Sequence, residues 1–378
     1  MRSILKTYSF LTIGLILTAQ EGVSQVIIDA FHTEAAIQEG KFHGWPANNG
    51  AWIWGNEILV GYNQGDHVVV PGHNYTGQIK VMLSRSKDGG RTWEMSDPEN
   101  FVGDVSESVT LQKPVNFLHK GFAMRVEAQG YHGADDPGAS FFFSYDRGNS
   151  WSGPHPFGEI RGLTGMEGRE LTPRTDYLVL GKNECAAFFS EREPGTFDDK
   201  VFMIRTVDGG MSWEFVSWLV PRTDPYRGVM PQTVKVTGNE WVSAIRRRIP
   251  SGDLDCWIDV YASTNLGRSW EFRSRVAETG KSNGNPPALV KLRDGRLCCI
   301  YGNRSLHQIR GRYSKDKGVT WGEEFIVRDG FYSAPGDDFS DLGYPRLVQN
   351  EKGELVAMYY WASEEHKEQY IAATIWKP

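Results

Sequence analysis

The chain has 378 residues, 40% of them hydrophobic and 23% charged, enough to bury a sizeable core, and a formal net charge of −6. That acidic balance argues against wrapping nucleic acid, so any anionic ligand must be gripped by a local arginine cluster rather than by a global field. Cys185, Cys256, Cys298 and Cys299 lack the paired spacing with histidines that a structural zinc site needs, and the adjacent Cys298 and Cys299 read as core packing.

Residues 1–24 read as a cleaved secretory signal peptide. Arg2 and Lys6 give a basic start, Phe10 to Leu17 an apolar run too short to span a bilayer, and Ala19 and Val23-Ser24 offer small residues for cleavage. The expected mature protein is one domain over 25–378, secreted or periplasmic, monomeric, with no stable membrane insertion and a charge of about −7. A short strand over Val26–Asp29 comes next. Proline-led strands with a following glycine turn are then expected over Trp45-Pro46 to Tyr62, Met230-Pro231 to Arg246, Pro286-Pro287 to Tyr301 and Tyr344-Pro345 to Tyr360. A looser version starts at Pro173, and one without the proline runs from Ser108–Leu111 into Gly121–Met124. The chain closes on an apolar strand, Tyr370–Trp376.

Between these strands one phrase recurs five times, Ser/Thr-x-Asp-x-Gly-x-Thr/Ser-Trp, at Ser86–Trp93, Ser144–Trp151, Thr206–Trp213, Ser263–Trp270 (with Asn265 for Asp) and Ser314–Trp321. Successive Asp or Asn positions are 58, 62, 57 and 51 residues apart, the spacing of a repeat built from one supersecondary unit. The phrase has the chemistry of a tight turn: a carboxylate or amide for backbone N–H groups ahead, a glycine for positive φ, and a tryptophan to bury against the next sheet. Its aspartates are therefore structural. The spacing divides the mature length into roughly six units, which predicts an all-β, six-bladed β-propeller with four-stranded antiparallel blades. An N-terminal strand, read as Val26–Asp29, completes the last blade and removes free edges.

The phrase is similar to the Asp box (BNR repeat) of the sialidase-like propellers, and the resemblance covers essentially the whole mature chain. That family grips a carboxylate with an arginine triad, attacks with a tyrosine polarised by a glutamate, and uses an aspartate as acid/base. The segment Gly343-Tyr344-Pro345-Arg346 resembles the strand that begins with the nucleophilic tyrosine, which implies Tyr344 in that role, with Tyr332 as a rival. Arg246 falls at the second triad position and Arg304 resembles the third. Two positions depart from the pattern. Gly44, in His43-Gly44-Trp45-Pro46, stands where the first triad arginine is expected, and Met230 stands where the glutamate is expected.

Arg227, Arg174 and Arg346, all near strand starts, are candidates to restore the missing positive charge, and His43 or Glu170 to act as base. Asp66, beside His67, resembles the region of the family's acid/base. Trp45, Trp52 and Trp54 offer flat faces for sugar stacking. The resemblance implies an exported glycoside hydrolase acting on a sialic acid-like or uronic acid-containing glycan, with no metal or cofactor. A uronate-cleaving lyase and a non-catalytic glycan-binding propeller remain open, because one fold hosts many functions.

Overall fold

Asp88 sits at the centre of a closed hydrogen-bond circuit supplied by its own sequence neighbours. Its Oδ1 accepts the N–H of Thr92 at 3.0 Å and its Oδ2 the Thr92 hydroxyl at 2.6 Å, while Ser86 Oγ accepts the N–H of Gly90 at 2.8 Å. The same N–H four residues on is bound at 2.9–3.0 Å in the other four copies. In every copy the residue after the Asp or Asn and the glycine that follows both have positive φ; for Leu266 and Gly267 the values are 62° and 79°. The circuit thus holds two consecutive left-handed residues, of which only one is always glycine. That glycine also lets the turn lean on the preceding blade: a Cβ at Gly148 would stand 2.3 Å from Leu59 Cδ2, and one at Gly267 2.3 Å from Met203 Sδ.

The computed structural model describes residues 25–98, 108–128, 138–158, 160, 168–251, 254–281, 283–337 and 339–378. The expected leader, 1–24, lies outside them. The chain is an all-β, six-bladed propeller, with each repeated turn linking the last two strands of a blade. In blade one Lys41–Gly44 and Ala51–Trp54 both pair with Glu57–His67, which is followed by Tyr75–Ser86 and Glu94–Ser96. Blade four is the regular case: Arg227–Lys235, Trp241–Arg248, Cys256–Ser263 and Glu271–Gly280, antiparallel throughout. In blade six Gly343–Gln349, Leu355–Trp361 and Tyr370–Trp376 are completed by an N-terminal strand, so the two ends of the chain close the ring.

That closing strand is Phe31–Ala36 rather than Val26–Asp29; Gln25–Val26 instead pairs in parallel with Phe325–Arg328 on the edge of blade five. Only Ala35 and Ala36 of the closing strand are buried, so it lacks the apolar run that marks a strand in sequence. Two other expectations shift. Pro46–Asn49 form a single helical turn inserted into the inner strand of blade one, with Pro46 in the first turn where its missing N–H costs nothing. Ser108–Leu111 are not a strand, and the described part of blade two has three: Ala123–Ala128, Ala139–Ser144 and Ser152–Pro156.

The core is divided among the blade interfaces. Trp52, Leu59 and Leu83 meet Phe142 and Trp151 between blades one and two; Phe188 and Met203 meet Trp241 and Tyr261 between three and four; Phe42, Val60 and Tyr62 meet Val356, Met358 and Tyr360 where six meets one. Cys185, Cys256, Cys298 and Cys299 are buried thiols. Near the axis the packing turns polar. Arg346, on the inner strand of blade six, donates to the carbonyls of Ala47 and Thr175 and to Gln232, tying blades one, three, four and six together. Asp176, beside it, accepts from Gln232 Nε2 at 3.0 Å and from the Thr233 hydroxyl at 2.9 Å. Burial pushes its carboxyl up to about 7, and also draws Arg346 down to about 10.

Candidate active site

Three inner strands begin with the same unusual backbone. Trp45, Met230 and Tyr344 each precede a proline and each has positive φ, 59°, 55° and 48°. For residues with a Cβ this region is costly, and before proline the chain prefers extended backbone. In blades four and six the register of the first strand pair shifts at these positions, between Val229 and Gln232 and between Gly343 and Arg346. The consequence is spatial: all three side chains line one cavity of about 310 Å³ at the mouth of the channel. Strain of this kind persists only where surrounding packing enforces it.

The second strands deliver the charges, because their C-terminal ends reach the same mouth. Arg125 and Glu127 come from blade two, Asn63 from blade one and Arg246 from blade four; Arg174 and Arg227 join from inner-strand starts. Four arginines and one carboxylate therefore line the cavity, with Asn48, Asn49 and Asn283 between them. Arg125 Nε donates to Asn49 Oδ1 at 3.1 Å and Arg174 Nε to Asn48 Oδ1 at 2.7 Å. Arg227 Nε donates to the buried Asp199 at 2.6 Å while its guanidinium stacks on Phe197.

Tyr344 is at the heart of this arrangement. Its N–H donates to Asn285 Oδ1 at 2.7 Å and its Oη accepts from Arg246 Nη1 at 3.2 Å. Arg246 also donates to the backbone and side-chain oxygens of Asn283, and forms no ion pair with a carboxylate among the described residues. Met230 Sδ lies 3.7 Å from Arg246 Nη1, so a thioether occupies the flank where a carboxylate would neutralise it. Arg304 stands behind the tyrosine, fully covered, donating to Tyr360 Oη at 2.8 Å and facing Asp341 Oδ1 at 3.4 Å. Burial alone would push the Tyr344 phenol up, but the positive charges of Arg246, Arg304 and His73 overcome it and bring the phenol down to about 7.

His73, on the turn between Glu57–His67 and Tyr75–Ser86, lines the cavity too. Its Nδ1 donates to Asp341 Oδ1 at 2.9 Å, and its ring packs edge-on against Trp45 and Phe339. Tyr360 donates to the same oxygen at 2.5 Å. Burial lowers the imidazole pKa and the Asp341 carboxylate raises it, with the net direction upward.

Of the residues nominated from sequence, Tyr344, Arg246, Arg227, Arg174 and Trp45 come together at the cavity, with Arg304 behind Tyr344 and Arg346 tied into the axis below. Asp66 and His43 stand outside it. Asp66 is exposed and paired with Lys41, its cross-strand neighbour. His43 is buried opposite Gln64, whose Nε2 lies 3.0 Å from its Nε2, and burial brings its imidazole down to about 4. Glu170 pairs with Arg192, Trp52 packs on Trp151, and Tyr332 lies under Lys367 away from the cavity. Arg125, Glu127, His73, Asn283 and Asp341 were not legible as site residues. Among the described residues no three His, Cys, Asp or Glu side chains gather as a metal site requires.

No protein-family model matches the chain, and no curated protein matches it in sequence. Solved structures match the fold. A protein of unknown function from Dyadobacter fermentans aligns with a TM-score of 0.63 at 19% identity, over 92% of this chain and 99% of that one. A Penicillium chrysogenum α-L-arabinanase complexed with arabinobiose aligns at 0.57 and 15%, over 90% and 98%. A Hadza microbial sialidase aligns at 0.59 and 15%, over 89% of this chain and 66% of the sialidase. The chain thus has the six-bladed propeller fold found among sialidases and other propeller glycosidases, at an identity that speaks for fold alone.

Proposed function

We propose that this protein is an exported glycoside hydrolase of the sialidase-like superfamily, its repeated turns being Asp boxes, that cleaves an anionic sugar from a glycan. The observation that carries this reading is the Tyr344 phenol on the cavity wall, hydrogen-bonded to Arg246 and brought to about 7. A neutral phenol is a weak nucleophile and is normally activated by an adjacent base. Here two guanidinium groups do that work from the other side, by stabilising the phenolate, which is why Met230 can occupy the place of the family's glutamate.

The rest of the lining suits the same chemistry. Arg246, with Arg125, Arg174 and Arg227 in the same lining, brings guanidinium groups suited to a carboxylate, and Trp45, packed against Phe42, His73 and Tyr75, adds apolar surface for a sugar ring. Such a lining fits an acidic sugar better than the neutral arabinobiose bound by the similar arabinanase. Tyr344 attacks the anomeric carbon as the leaving oxygen departs, and water then releases the sugar; a tyrosine nucleophile, as in sialidases, is an exception to the two-carboxylate scheme of most glycosidases.

The test is a panel of aryl glycosides of sialic and hexuronic acids, read as released aglycone, with Tyr344→Phe alongside. Turnover abolished by Tyr344→Phe in a folded protein supports the reading. An unsaturated, ultraviolet-absorbing uronate product would make the protein a lyase instead, and binding without either product a lectin-like propeller.

A further inference from the structure

The hydrolase reading needs a proton donor for the leaving oxygen; Asp66 lies outside the cavity, held by Lys41, and the one carboxylate among the lining residues, Glu127, is ion-paired with Arg125. We infer that His73, oriented by the buried Asp341, is the general acid/base of this site, so that a histidine–aspartate pair serves where an aspartate was expected. The inference rests on the hydrolase reading of the same cavity.

His73 meets the requirements of position and orientation. It lines the cavity with Tyr344, and its Nδ1 is committed to Asp341 Oδ1 at 2.9 Å, which leaves Nε2 as the nitrogen that can exchange a proton with a ligand. The ring cannot swing freely: Trp45 packs against it with ring centres 4.9 Å apart and Phe339 with centres 5.2 Å apart, both edge-on. The turn carrying it is pinned by a second bond to the loop that holds Asp341, Asn74 Nδ2 to Asp337 Oδ2 at 3.3 Å. Asp341 is fully covered and is itself fixed by Tyr360, at 2.5 Å, and Arg304. Asp341 is thus a positioning residue: it sets the tautomer and angle of the imidazole without touching the substrate.

Electrostatics agree. The groups facing His73 are Asp341 from the loop before Gly343–Gln349, Tyr344 from blade six and Arg304 from blade five; the two anionic ones outweigh burial and the guanidinium, so the imidazole keeps its proton above its ordinary range. The two groups are coupled: a phenolate at 344 and an imidazolium at 73 each favour the other's charged form.

Tyr344 Oη forms a bond to the anomeric carbon while the bond from that carbon to the leaving oxygen breaks, and that oxygen takes the proton from His73 Nε2. Water next attacks the anomeric carbon, gives its proton to His73 Nε2, and Tyr344 leaves as phenolate, restoring both groups.

A leaving group that needs no proton separates this role from a structural one. Methyl and dinitrophenyl glycosides of sialic acid and of glucuronic acid are compared in the full-length protein and in His73→Asn, which keeps a donor toward Asp341. His73→Gln is a second variant, and thermal unfolding checks that both are folded. The expected loss is roughly 100-fold or more on the methyl glycoside and at least tenfold smaller on the dinitrophenyl one, with the alkaline limb of the kcat/KM profile gone. Equal losses on both substrates, or an alkaline limb that persists, overturn the role of His73 while leaving the hydrolase reading in place. If the wild-type protein cleaves neither sugar from either leaving group, the hydrolase reading falls and takes this role with it.

Discussion

Replacing Arg246 by methionine keeps a chain of similar reach but removes the charge whose Nη1 lies 3.2 Å from Tyr344 Oη. A unit charge about 4 Å away, acting through an effective dielectric of about 20, contributes roughly 4 kcal/mol, or about three pH units in the pKa of its partner. Arg304 and His73 share the task of holding the phenol near 7, and burial opposes all three, so losing Arg246 alone should raise the Tyr344 pKa by roughly two units. The sign is definite. A phenol at about 7 is mostly ionised at pH 8; one two units higher is about one-tenth ionised, so the rate at pH 8 falls at least tenfold and its acid limb moves upward. The direct assay is tyrosinate absorbance during a pH titration, with Tyr344→Phe identifying the residue responsible. A wild-type protein without a tyrosinate transition near neutrality, or an Arg246→Met protein that keeps it unmoved, would refute the argument that guanidinium groups replace the missing base.

Other expectations concern the scaffold. Asp88 and Asp316 are held at about 2 despite some burial, by hydrogen bonds from Thr92 and Thr320 and their neighbours. Their folded pKa lies below the unfolded value, so their stabilisation is fully present above about pH 4 and is lost as pH falls toward 2. Asp88→Asn should therefore lower the unfolding midpoint at pH 7, with the difference from wild type shrinking steadily to pH 2 in thermal melts. Gly267→Ala puts a Cβ at φ 79° and 2.3 Å from Met203 Sδ, which should cost about 2–4 kcal/mol in denaturant unfolding; a loss below about 1 kcal/mol would mean the blade interface yields more easily than described. Arg346→Met leaves the carbonyls of Ala47 and Thr175 unpaired near the buried Asp176 and should cost about 3–5 kcal/mol. An unchanged midpoint would show that the axis is not held by this residue.

The scaffold was legible in the sequence because its chemistry is local. In each repeated turn the leading Ser or Thr and the Asp or Asn bond backbone N–H groups four residues ahead of them, from Ser86 to Thr92 in the first copy, so the pattern is written out in consecutive letters. The positions of Tyr344 and Arg246 could be read through family resemblance, since both begin or end strands of regular length. What remained hidden depends on contacts between distant segments. His73 and Asp341 are 268 residues apart, on loops with no periodicity. Arg125 and Glu127 belong to blade two, the blade without a proline lead, in which the described residues include no regular inner strand. The positive φ at Trp45, Met230 and Tyr344 leaves no trace in composition, because the residues adopting it are not the glycine or asparagine that usually signal it. His43 and Asp66 were misleading for a different reason. Cross-strand register pairs them with Gln64 and Lys41 on the strands of blade one, and register is a property of the sheet rather than of either residue.

The most direct measurement is to look for a covalent link between the protein and a sugar. The protein is incubated with fluorine-substituted aryl glycosides of sialic and hexuronic acids, which slow release of a glycosyl-enzyme, and its peptides are then mapped by mass spectrometry. The expected result is one sugar on the peptide containing Tyr344, lost in Tyr344→Phe and formed more slowly in Arg246→Met. A sugar attached to Glu127 or to any other carboxylate would contradict the account, as would turnover that yields an unsaturated uronate.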